Sequence, residues 1–464
     1  MVSDDGGTGT PTPPQVDDIV TEDPDDGSVP GRHRRTPGRT RRIVTWSIVG
    51  VFTAIVVWAG ATFYGTYKDS DGEPTSVIVA TWMRDNHMGP IVAQLENLYY
   101  RYVDKAQVGG EPTLSADLGT EDNAGTDNSD LGTVQTTVNR AESTPLLLTP
   151  LSGAPANTAP IPAGTPAATL PLPHLIPPPA IVSPAKKPEP KEGVWQPVAS
   201  YVNGEPAVYV TRVRADGVHT AYYASVMWID TKLTKAMFVP GYQEPGGPNP
   251  YNGALPKDQW PAVLANFNGA FRLDDSQGGY YYKGKTVRQL VDGKASAVIY
   301  KDGSIKIGKW GRDVKMTKDV DVVRQNLNLI VDGGKSKVTN GADNVVWGAT
   351  TDKESLAWRA AIGQRPDGSI VYVGSPYLSA DGLASTLVGA GVERAMVLDM
   401  NNWWTAGFYF RHTKDGQPLC RKLDPSIQEG CDRFLNKYKR DSFHFLSISP
   451  EGAAAQSSSA SVSP

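Results

Sequence analysis

Hydrophobic and polar positions divide this chain into three regions. An uncharged run over 43–65 is long enough to cross a bilayer as a helix. Over 76–104 apolar residues recur at three-to-four spacing, which predicts an amphipathic helix interrupted near Gly89-Pro90. From about residue 193 the pattern changes to short apolar runs between turn residues, which is typical of β-strands.

The third region, 193–449, predicts one folded domain. Apolar runs between 207 and 239 predict strands, and Asp-Gly turns at 301–304 and 365–368 predict two hairpins. A helix is expected over 379–391, where leucines and a valine share one face. We therefore predict an α+β fold, a mixed β-sheet domain with flanking helices.

Composition sets the remaining boundaries. Residues 1–42 have few large apolar groups and end in a cluster of arginines, so we predict a disordered tail. Residues 105–192 are rich first in Gly, Asp and Thr and then in Pro and Ala, and 450–464 form an Ala/Ser tail. Proline-rich chain is extended and semi-rigid, so we interpret 105–192 as a disordered linker that holds the domain away from the membrane.

Charges around the apolar run predict a single-pass membrane protein with a cytoplasmic N-terminus and an extracytoplasmic C-terminal domain. Arginines precede the run, whereas Lys68-Asp69 follow it. A cleaved signal peptide is the alternative, because the tripeptide at 59–61 resembles a cleavage site. The long preceding region and the full spanning length favour an uncleaved anchor at 43–65.

Net charge and cysteine content indicate which partners and which covalent bonds to expect. A net charge of −4 without a basic stripe gives no case for nucleic acid. Cys420 and Cys431 are the only cysteines, and in an extracytoplasmic region a disulfide between them is favoured over free thiols. The helix at 76–104 packs on the main domain, forms a juxtamembrane stalk or mediates self-association, and its pattern leaves these choices open.

Three apolar runs end on polar groups. The first ends on Asn268-Gly269, the second contains Arg359, and the third runs through Asp399. Because sheets present chemistry at the ends of their strands, we expect these three segments to meet in space. Trp403, just beyond Asp399, offers an aromatic face on which a sugar could stack.

The ordered motifs NFNGAF, YKDGSIKIG, LNLIVDGG, WRAAIG and VLDMN resemble the phosphodiester glycosidase family over about 190–449. Asn268 and Gly269 match the first family motif and Arg359 the fourth, while Asp399 is kept where Met400-Asn401-Asn402 replace glycines. That family includes the enzyme that removes N-acetylglucosamine from a mannose phosphodiester. The resemblance implies hydrolysis of a sugar 1-phosphodiester in a cell-surface glycan or its carrier.

The chemistry of such a substrate suggests a role for each residue. A sugar phosphate leaves as a stable anion, so it needs electrostatic stabilisation more than a proton. We assign Arg359 to the phosphate, Asp399 to the role of nucleophile or base, and Asn268 to orienting a hydroxyl or phosphate oxygen. The predicted substrate-binding residues are Gly269, Asn401, Asn402 and Trp403. The structural alternatives are a turn cap for Asp399, an ion pair for Arg359 and a tight turn for Asn268.

Two further alternatives concern a cation and catalysis itself. Asp274-Asp275 could hold Ca²⁺ or Mg²⁺ through oxygen ligands, or could lie in a solvated loop. The domain could also be a non-catalytic module that binds cell-wall glycan, or a scaffold assembled through 76–104. The enzyme interpretation predicts that Asp399→Asn abolishes turnover, whereas the binding interpretation predicts glycan affinity without turnover.

Overall fold

The computed structural model describes residues 39–70, 72–103, 105–118, 173–339, 347 and 356–449. The chain divides into two compact units, Met1–Ser70 and Asp71–Pro464. In the first unit, helix α1 spans Arg39–Lys68 and extends beyond the predicted 43–65 at both ends. Within it, Trp46–Lys68 is long and apolar enough to cross a membrane, a property that signal sequences share. Of the predicted tail at 1–42, residues 39–42 belong to α1, and residues 1–38 lie outside the described residues, as does the predicted tail at 450–464.

The predicted amphipathic helix forms two helices, α2 (Thr75–Asp85) and α3 (Gly89–Tyr102). Pro90 lies in the first turn of α3, where its missing N–H group leaves no helical hydrogen bond unmade. An ion pair of 2.7 Å between Arg84 and Glu96 joins the two helices. We call α2, α3 and the turn between them the hairpin, and we name each β-hairpin by its two strands.

In the part of the domain that the structure describes there are twenty strands, two short segments of helix and one longer helix. The strands are β1 (Gln196–Pro197), β2 (Tyr201–Val202), β3 (Glu205–Pro206), β4 (Val208–Arg214), β5 (Tyr223–Ile229), β6 (Thr234–Val239), β7 (Val263–Asn268), β8 (Tyr280–Tyr282), β9 (Lys285–Arg288), β10 (Ala295–Tyr300), β11 (Ile305–Lys309), β12 (Val320–Gln325), β13 (Leu329–Asp332), β14 (Lys335–Ser336), β15 (Ala357–Gln364), β16 (Ile370–Leu378), β17 (Arg394–Val397), β18 (Gly407–His412), β19 (Pro418–Lys422) and β20 (Ser442–Ser447). The helical segments are a 3₁₀ helix (Lys257–Ala262), α4 (Leu273–Ser276) and α5 (Ala380–Gly389).

These strands form one eight-stranded sheet, two five-stranded sheets and a small two-stranded sheet. Their orders are β1-β4-β5-β16-β15-β17-β13-β14, β11-β10-β12-β8-β9, β19-β18-β7-β20-β6 and β2-β3. The α+β class is confirmed, and the paired strands named here run antiparallel. The two predicted hairpins are β10–β11 and β15–β16, and Ser379 caps α5 by accepting a hydrogen bond from the Gly382 N–H at 2.9 Å.

The eight-stranded sheet lies between two apolar layers. In β5, Val226 and Trp228 face the cluster that contains Leu383 and Leu387 of α5. Met227, between them, faces the opposite cluster, which is shared with the five-stranded sheets. Because successive strand side chains alternate between faces, one continuous apolar strand serves both layers.

Both ends of the predicted linker 105–192 contact the domain. The Gly109 N–H donates to the Val218 carbonyl at 2.7 Å, and the Leu175 N–H donates to Asp230 at 2.6 Å. Residues 105–118 and 173–192 therefore contact the domain, although their composition predicted a spacer. Residues 119–172, the remainder of that predicted linker, are outside the described part of the chain.

The predicted disulfide between Cys420 and Cys431 is confirmed, with a Cα–Cα distance of 5.8 Å. Replacing both cysteines by serine is expected to lower the free energy of unfolding by about 3 kcal/mol, because the bond closes a loop in the unfolded chain. Urea unfolding of the full chain, compared with reduced wild-type protein, measures this loss. Equal midpoints for the wild-type and double-serine proteins would contradict the expectation.

Candidate functional site

A cavity of about 430 Å³ lies between the hairpin and loops of the domain that contains β1–β20, which we call the β-domain. This volume falls in the range of small-molecule sites. The β-domain contributes residues after β7, after β12, after β17 and just before β20. The lining residues are Arg84, Gly89, Pro90, Ala93, Glu96, Tyr100, Phe271, Arg272, Asp274, Asp275, Gln277, Leu327, Asp399, Met400, Asn401, Trp404 and Arg440.

The hairpin is fixed to the domain at several points beside this cavity. Arg272 pairs with Asp85 of α2 at 2.6 Å, and buried Glu73 contacts Lys439. Val77 of α2 packs in the apolar cluster that includes Trp404. The hairpin is thus a packed wall of the cavity.

Asp399 is the most buried carboxylate on the cavity wall, with 5% of its surface exposed. It lies two residues after β17, and the Ala360 N–H donates to its backbone carbonyl at 2.8 Å. Its Oδ1 accepts the Met400 N–H at 2.8 Å, and its Oδ2 accepts an Arg440 N–H at 2.7 Å. Both carboxylate oxygens are therefore held in one orientation.

Burial raises the pKa of the Asp399 carboxyl above its ordinary value, because the charged form is poorly solvated. The Arg440 guanidinium and the Met400 N–H act in the opposite direction and lower this pKa. The negative charge of Asp275 raises it further. The charge of Arg440 therefore opposes the effect of burial on the pKa of Asp399.

Arg440 completes the polar side of the cavity. Its guanidinium carbon lies 4.8 Å from the centroid of the Trp404 ring, a cation–π distance. The same guanidinium pairs with Asp399, 41 residues earlier in the chain. Arg440 was not predicted from the sequence, since it follows an irregular segment and belongs to no recognisable motif.

Asn326 holds the backbone that leads into Asp399. Its side-chain amide donates to the carbonyls of Val397 and Leu398 at 2.7 and 2.9 Å. The next residue, Leu327, lines the cavity with φ = 47°, a left-handed conformation that costs a leucine roughly 1–2 kcal/mol. Such strain collects at functional sites, where the surrounding structure maintains it.

The three predicted segments adjoin one another, but only one contributes its predicted group to the cavity. Arg359, on β15 beside β17, is buried, donates to the Leu378 carbonyl at 2.8 Å and contacts the Met400 sulfur at 3.7 Å. Asn268, at the end of β7, accepts the Tyr372 hydroxyl proton at 2.8 Å. Neither Arg359 nor Asn268 is a lining residue, whereas Asp399 is.

The predicted substrate-binding residues also differ in position. Asn401 lines the cavity and its Oδ1 accepts the Trp403 N–H at 2.8 Å, so this turn closes on itself. Trp404 also lines the cavity, whereas Asn402 and Trp403 do not. None of the three residues at 400–402 has a positive φ, so this turn forms without the glycines that the family motif carries.

Gly269 packs closely against Asp441, the residue that follows Arg440. Its N–H donates to the Asp441 carbonyl at 2.8 Å, and a Cβ at this position would lie 2.4 Å from Cγ of Asp441. Asp441 is itself buried and accepts an Arg324 N–H at 2.8 Å. Glycine is required here for the close approach of two chain segments, one of which continues from Arg440.

We expect Gly269→Ala to lower the free energy of unfolding by about 1–3 kcal/mol, since the added methyl group meets a fixed buried carboxylate. Urea denaturation followed by tryptophan fluorescence measures the loss. Gly89→Ala is the matched control, because no atom lies within 4 Å of its added Cβ. Equal losses in the two variants would contradict this account of Gly269.

Asp274 and Asp275, the predicted cation ligands, both line the cavity. Asp274 pairs with Arg288 at 2.5 Å. Within the residues that the structure describes, no group of three or more His, Cys, Asp or Glu side chains is arranged to hold a metal ion.

A carboxylate beside a guanidinium in this cavity, with an indole ring alongside, offers polar groups for an anion and an aromatic face for a ring. Residues 262–399, from the residue before β7 to Asp399, match the phosphodiester glycosidase family model. The predicted resemblance is confirmed there. Arg440 lies outside the matched segment.

Two of the solved structures that this chain matches are distant from it in sequence. The catalytic domain of zebrafish N-acetylglucosamine-1-phosphodiester alpha-N-acetylglucosaminidase, auto-inhibited by its pro-peptide, is 13% identical; the match covers 55% of this chain and 88% of that chain, with a TM-score of 0.34. A hypothetical protein from Synechocystis is 11% identical, over 54% of this chain and 64% of that chain, with a TM-score of 0.30. Comparison with curated proteins gives no match.

Proposed function

We propose that this chain is a membrane-anchored, extracytoplasmic hydrolase that cleaves a sugar 1-phosphodiester. The observation that carries the proposal is the Asp399–Arg440 pair, 2.7 Å apart on the wall of a cavity of about 430 Å³. Asp399 is the last residue of the segment that matches the phosphodiester glycosidase family model. A sugar ring and one phosphate group fit a cavity of this size.

In the proposed reaction, water adds to the anomeric carbon as the bond from that carbon to the phosphate oxygen breaks. The sugar leaves with a free hydroxyl group, and the aglycone keeps the phosphate as a monoester. Arg440 balances the charge that develops on the leaving phosphate, and Asp399 either takes the proton from water or attacks the anomeric carbon itself. In this proposal Arg440 takes the phosphate-binding role that the sequence predicted for Arg359.

Two features support the proposed location. Arginines precede the apolar run of α1, and the stretch Trp46–Lys68 has the length and composition of a membrane span. The disulfide between Cys420 and Cys431 suits an oxidising compartment outside the cytoplasm. We therefore place the N-terminus in the cytoplasm and the domain outside it.

The test uses full-length protein in detergent micelles and a panel of sugar 1-phosphodiesters, with free reducing sugar as the readout. Release of sugar is expected, and the configuration of the first-formed product assigns Asp399. Retention indicates a nucleophile, and inversion indicates a base acting on water. Activity lost with EDTA and restored by Ca²⁺ or Mg²⁺ would assign a cation to the cavity beside Asp274 and Asp275.

The outcome that contradicts the proposal is saturable binding of the same compounds without any sugar release. The domain would then be a glycan-binding module, in which Arg440 holds Asp399 in a purely structural pair. Isothermal titration of the same protein sample detects that outcome directly.

A further inference from the structure

Helix α3 has two opposite faces with different surroundings. One face lines the cavity and consists of Gly89, Ala93, Glu96 and Tyr100. The other, which we call the outer face, consists of Ile91, Leu95, Leu98 and Tyr102. Each set follows the spacing i, i+4, i+7, i+11, and at about 100° per residue the two sets lie on opposite sides of the helix.

The outer face is apolar and open to solvent. Its residues are 50% (Ile91), 53% (Leu95), 52% (Leu98) and 66% (Tyr102) exposed. Val92, on the same helix, is only 3% exposed, so α3 already has a separate position that packs against the protein. A continuous stripe of large exposed apolar side chains marks an interaction surface.

Chain connectivity limits what can cover this face. Helix α1 ends at Lys68, and buried Glu73 is fixed to the domain through Lys439. Only residues 69–72 connect them, and an extended chain of that length spans at most about 18 Å. If α1 spans a bilayer, the hairpin is held beside the lipid surface. Aliphatic residues with tyrosine are the side chains that such a surface accepts.

We propose that the outer face of α3 docks into the surface of the membrane that α1 crosses, and that the substrate is a sugar 1-phosphodiester whose aglycone is a membrane lipid. This inference rests on the proposed function. A helix is about 10–12 Å across, so a cavity lined by the opposite face of α3 opens just above the lipid headgroups. A phosphate at the headgroup level and the sugar attached to it can then reach Asp399 and Arg440 while the lipid chain stays in the bilayer.

The first test measures docking without any need for activity. The two native cysteines form a disulfide, so a single Leu98→Cys substitution in the full chain can be labelled selectively with an environment-sensitive fluorophore. In phosphatidylcholine vesicles containing 20% phosphatidylglycerol, we expect the label to be quenched by doxyl-labelled lipid and protected from iodide. A label at Lys301→Cys, in the exposed β10–β11 turn, serves as the aqueous control.

The second test measures substrate choice. Full-length protein in the same vesicles is given one sugar 1-phosphodiester in two forms, with a propyl aglycone in solution and with a dialkylglycerol aglycone in the bilayer. We expect the lipid form to be hydrolysed at least tenfold more efficiently. A variant carrying both Leu95→Glu and Leu98→Glu should lose that preference and still hydrolyse the propyl form at the wild-type rate.

Other outcomes overturn the inference in separable ways. If the label at position 98 stays accessible to iodide, α3 does not dock into the membrane. If the Leu98→Cys protein forms disulfide-linked dimers and its label is not quenched by lipid, the outer face binds a second copy of the chain. Lipid quenching with equal hydrolysis of both substrate forms overturns the lipid substrate. Hydrolysis of neither form overturns the proposed function itself, while the label still decides whether α3 docks.

Discussion

Asp399→Asn is expected to reduce sugar release about 10³-fold while the domain stays folded. The amide keeps an oxygen that can accept the Met400 N–H, but it can neither take a proton from water nor attack the anomeric carbon. Single-turnover measurements with a sugar 1-phosphodiester give the loss in the chemical step, and circular dichroism gives the thermal midpoint of unfolding.

The effect on stability has a definite sign. Burial raises the folded-state pKa of Asp399, so its contribution to stability is complete below the unfolded pKa and is lost as pH rises through the folded pKa. At neutral pH the wild-type protein must bury a charged Asp399 carboxylate, whereas asparagine is uncharged. The thermal midpoint of the variant at neutral pH should therefore be no lower than that of the wild type.

Asp332→Asn is the matched control, because Asp332 also pairs with an arginine, Arg312, at 2.7 Å but away from the cavity. Its sugar release should equal that of the wild type. Near-normal release by the Asp399 variant would leave Asp399 with a structural role in its turn.

Arg440→Ala is expected to lower kcat/KM about 10²–10³-fold, since the leaving phosphate loses its cationic partner. The substitution also removes the group that lowers the pKa of Asp399, so this pKa should rise further. The acid limb of the kcat/KM profile should therefore move to higher pH, and Arg440→Lys should recover part of the rate by keeping the positive charge.

Arg312→Ala controls for the loss of a surface arginine that is paired with aspartate. A full profile from pH 4 to 9 for each variant separates the two effects of Arg440. A lower rate with an unmoved acid limb would mean that Arg440 acts on the phosphate without setting the ionisation of Asp399.

The fold was largely predictable from local pattern. Alternating and continuous apolar runs predicted the main strands, Asp-Gly turns located the β10–β11 and β15–β16 hairpins, and Ser379 marked the start of α5. These features depend on neighbouring residues, which a sequence displays directly. The association of strands into three larger sheets involves pairs far apart in the chain, such as β5 with β16, and local pattern does not specify such pairs.

The candidate site was only partly predictable, for a similar reason. Asp399 follows a clear apolar strand, so its position at a strand end could be inferred. Arg440 and Asn326 act through contacts with Asp399 and Val397 that span 41 and 71 residues. The residue pattern gives no sign that the Arg359 side chain donates to the Leu378 carbonyl and does not line the cavity.

The hairpin illustrates a second limit. Three-to-four spacing predicted a helix over 76–104 and showed that it is amphipathic. It could not show which side meets the domain, because α3 has side chains that suit contact on both sides. Only the structure identifies Ala93 and Tyr100 as cavity wall and leaves Leu95 exposed.

Because the hairpin is a wall of the cavity, the substrate preference measured on a purified fragment will depend on whether the fragment includes the hairpin. A fragment beginning near residue 190 keeps every strand of the β-domain but loses six of the residues that line the cavity, among them Arg84 and Tyr100. It would also leave Lys439 without Glu73 and uncover the apolar cluster that receives Val77. Substrate preferences measured on such a fragment would describe a wider and more open site than the one in the whole chain. A fragment that starts at Gly72 would retain the native boundary of the pocket.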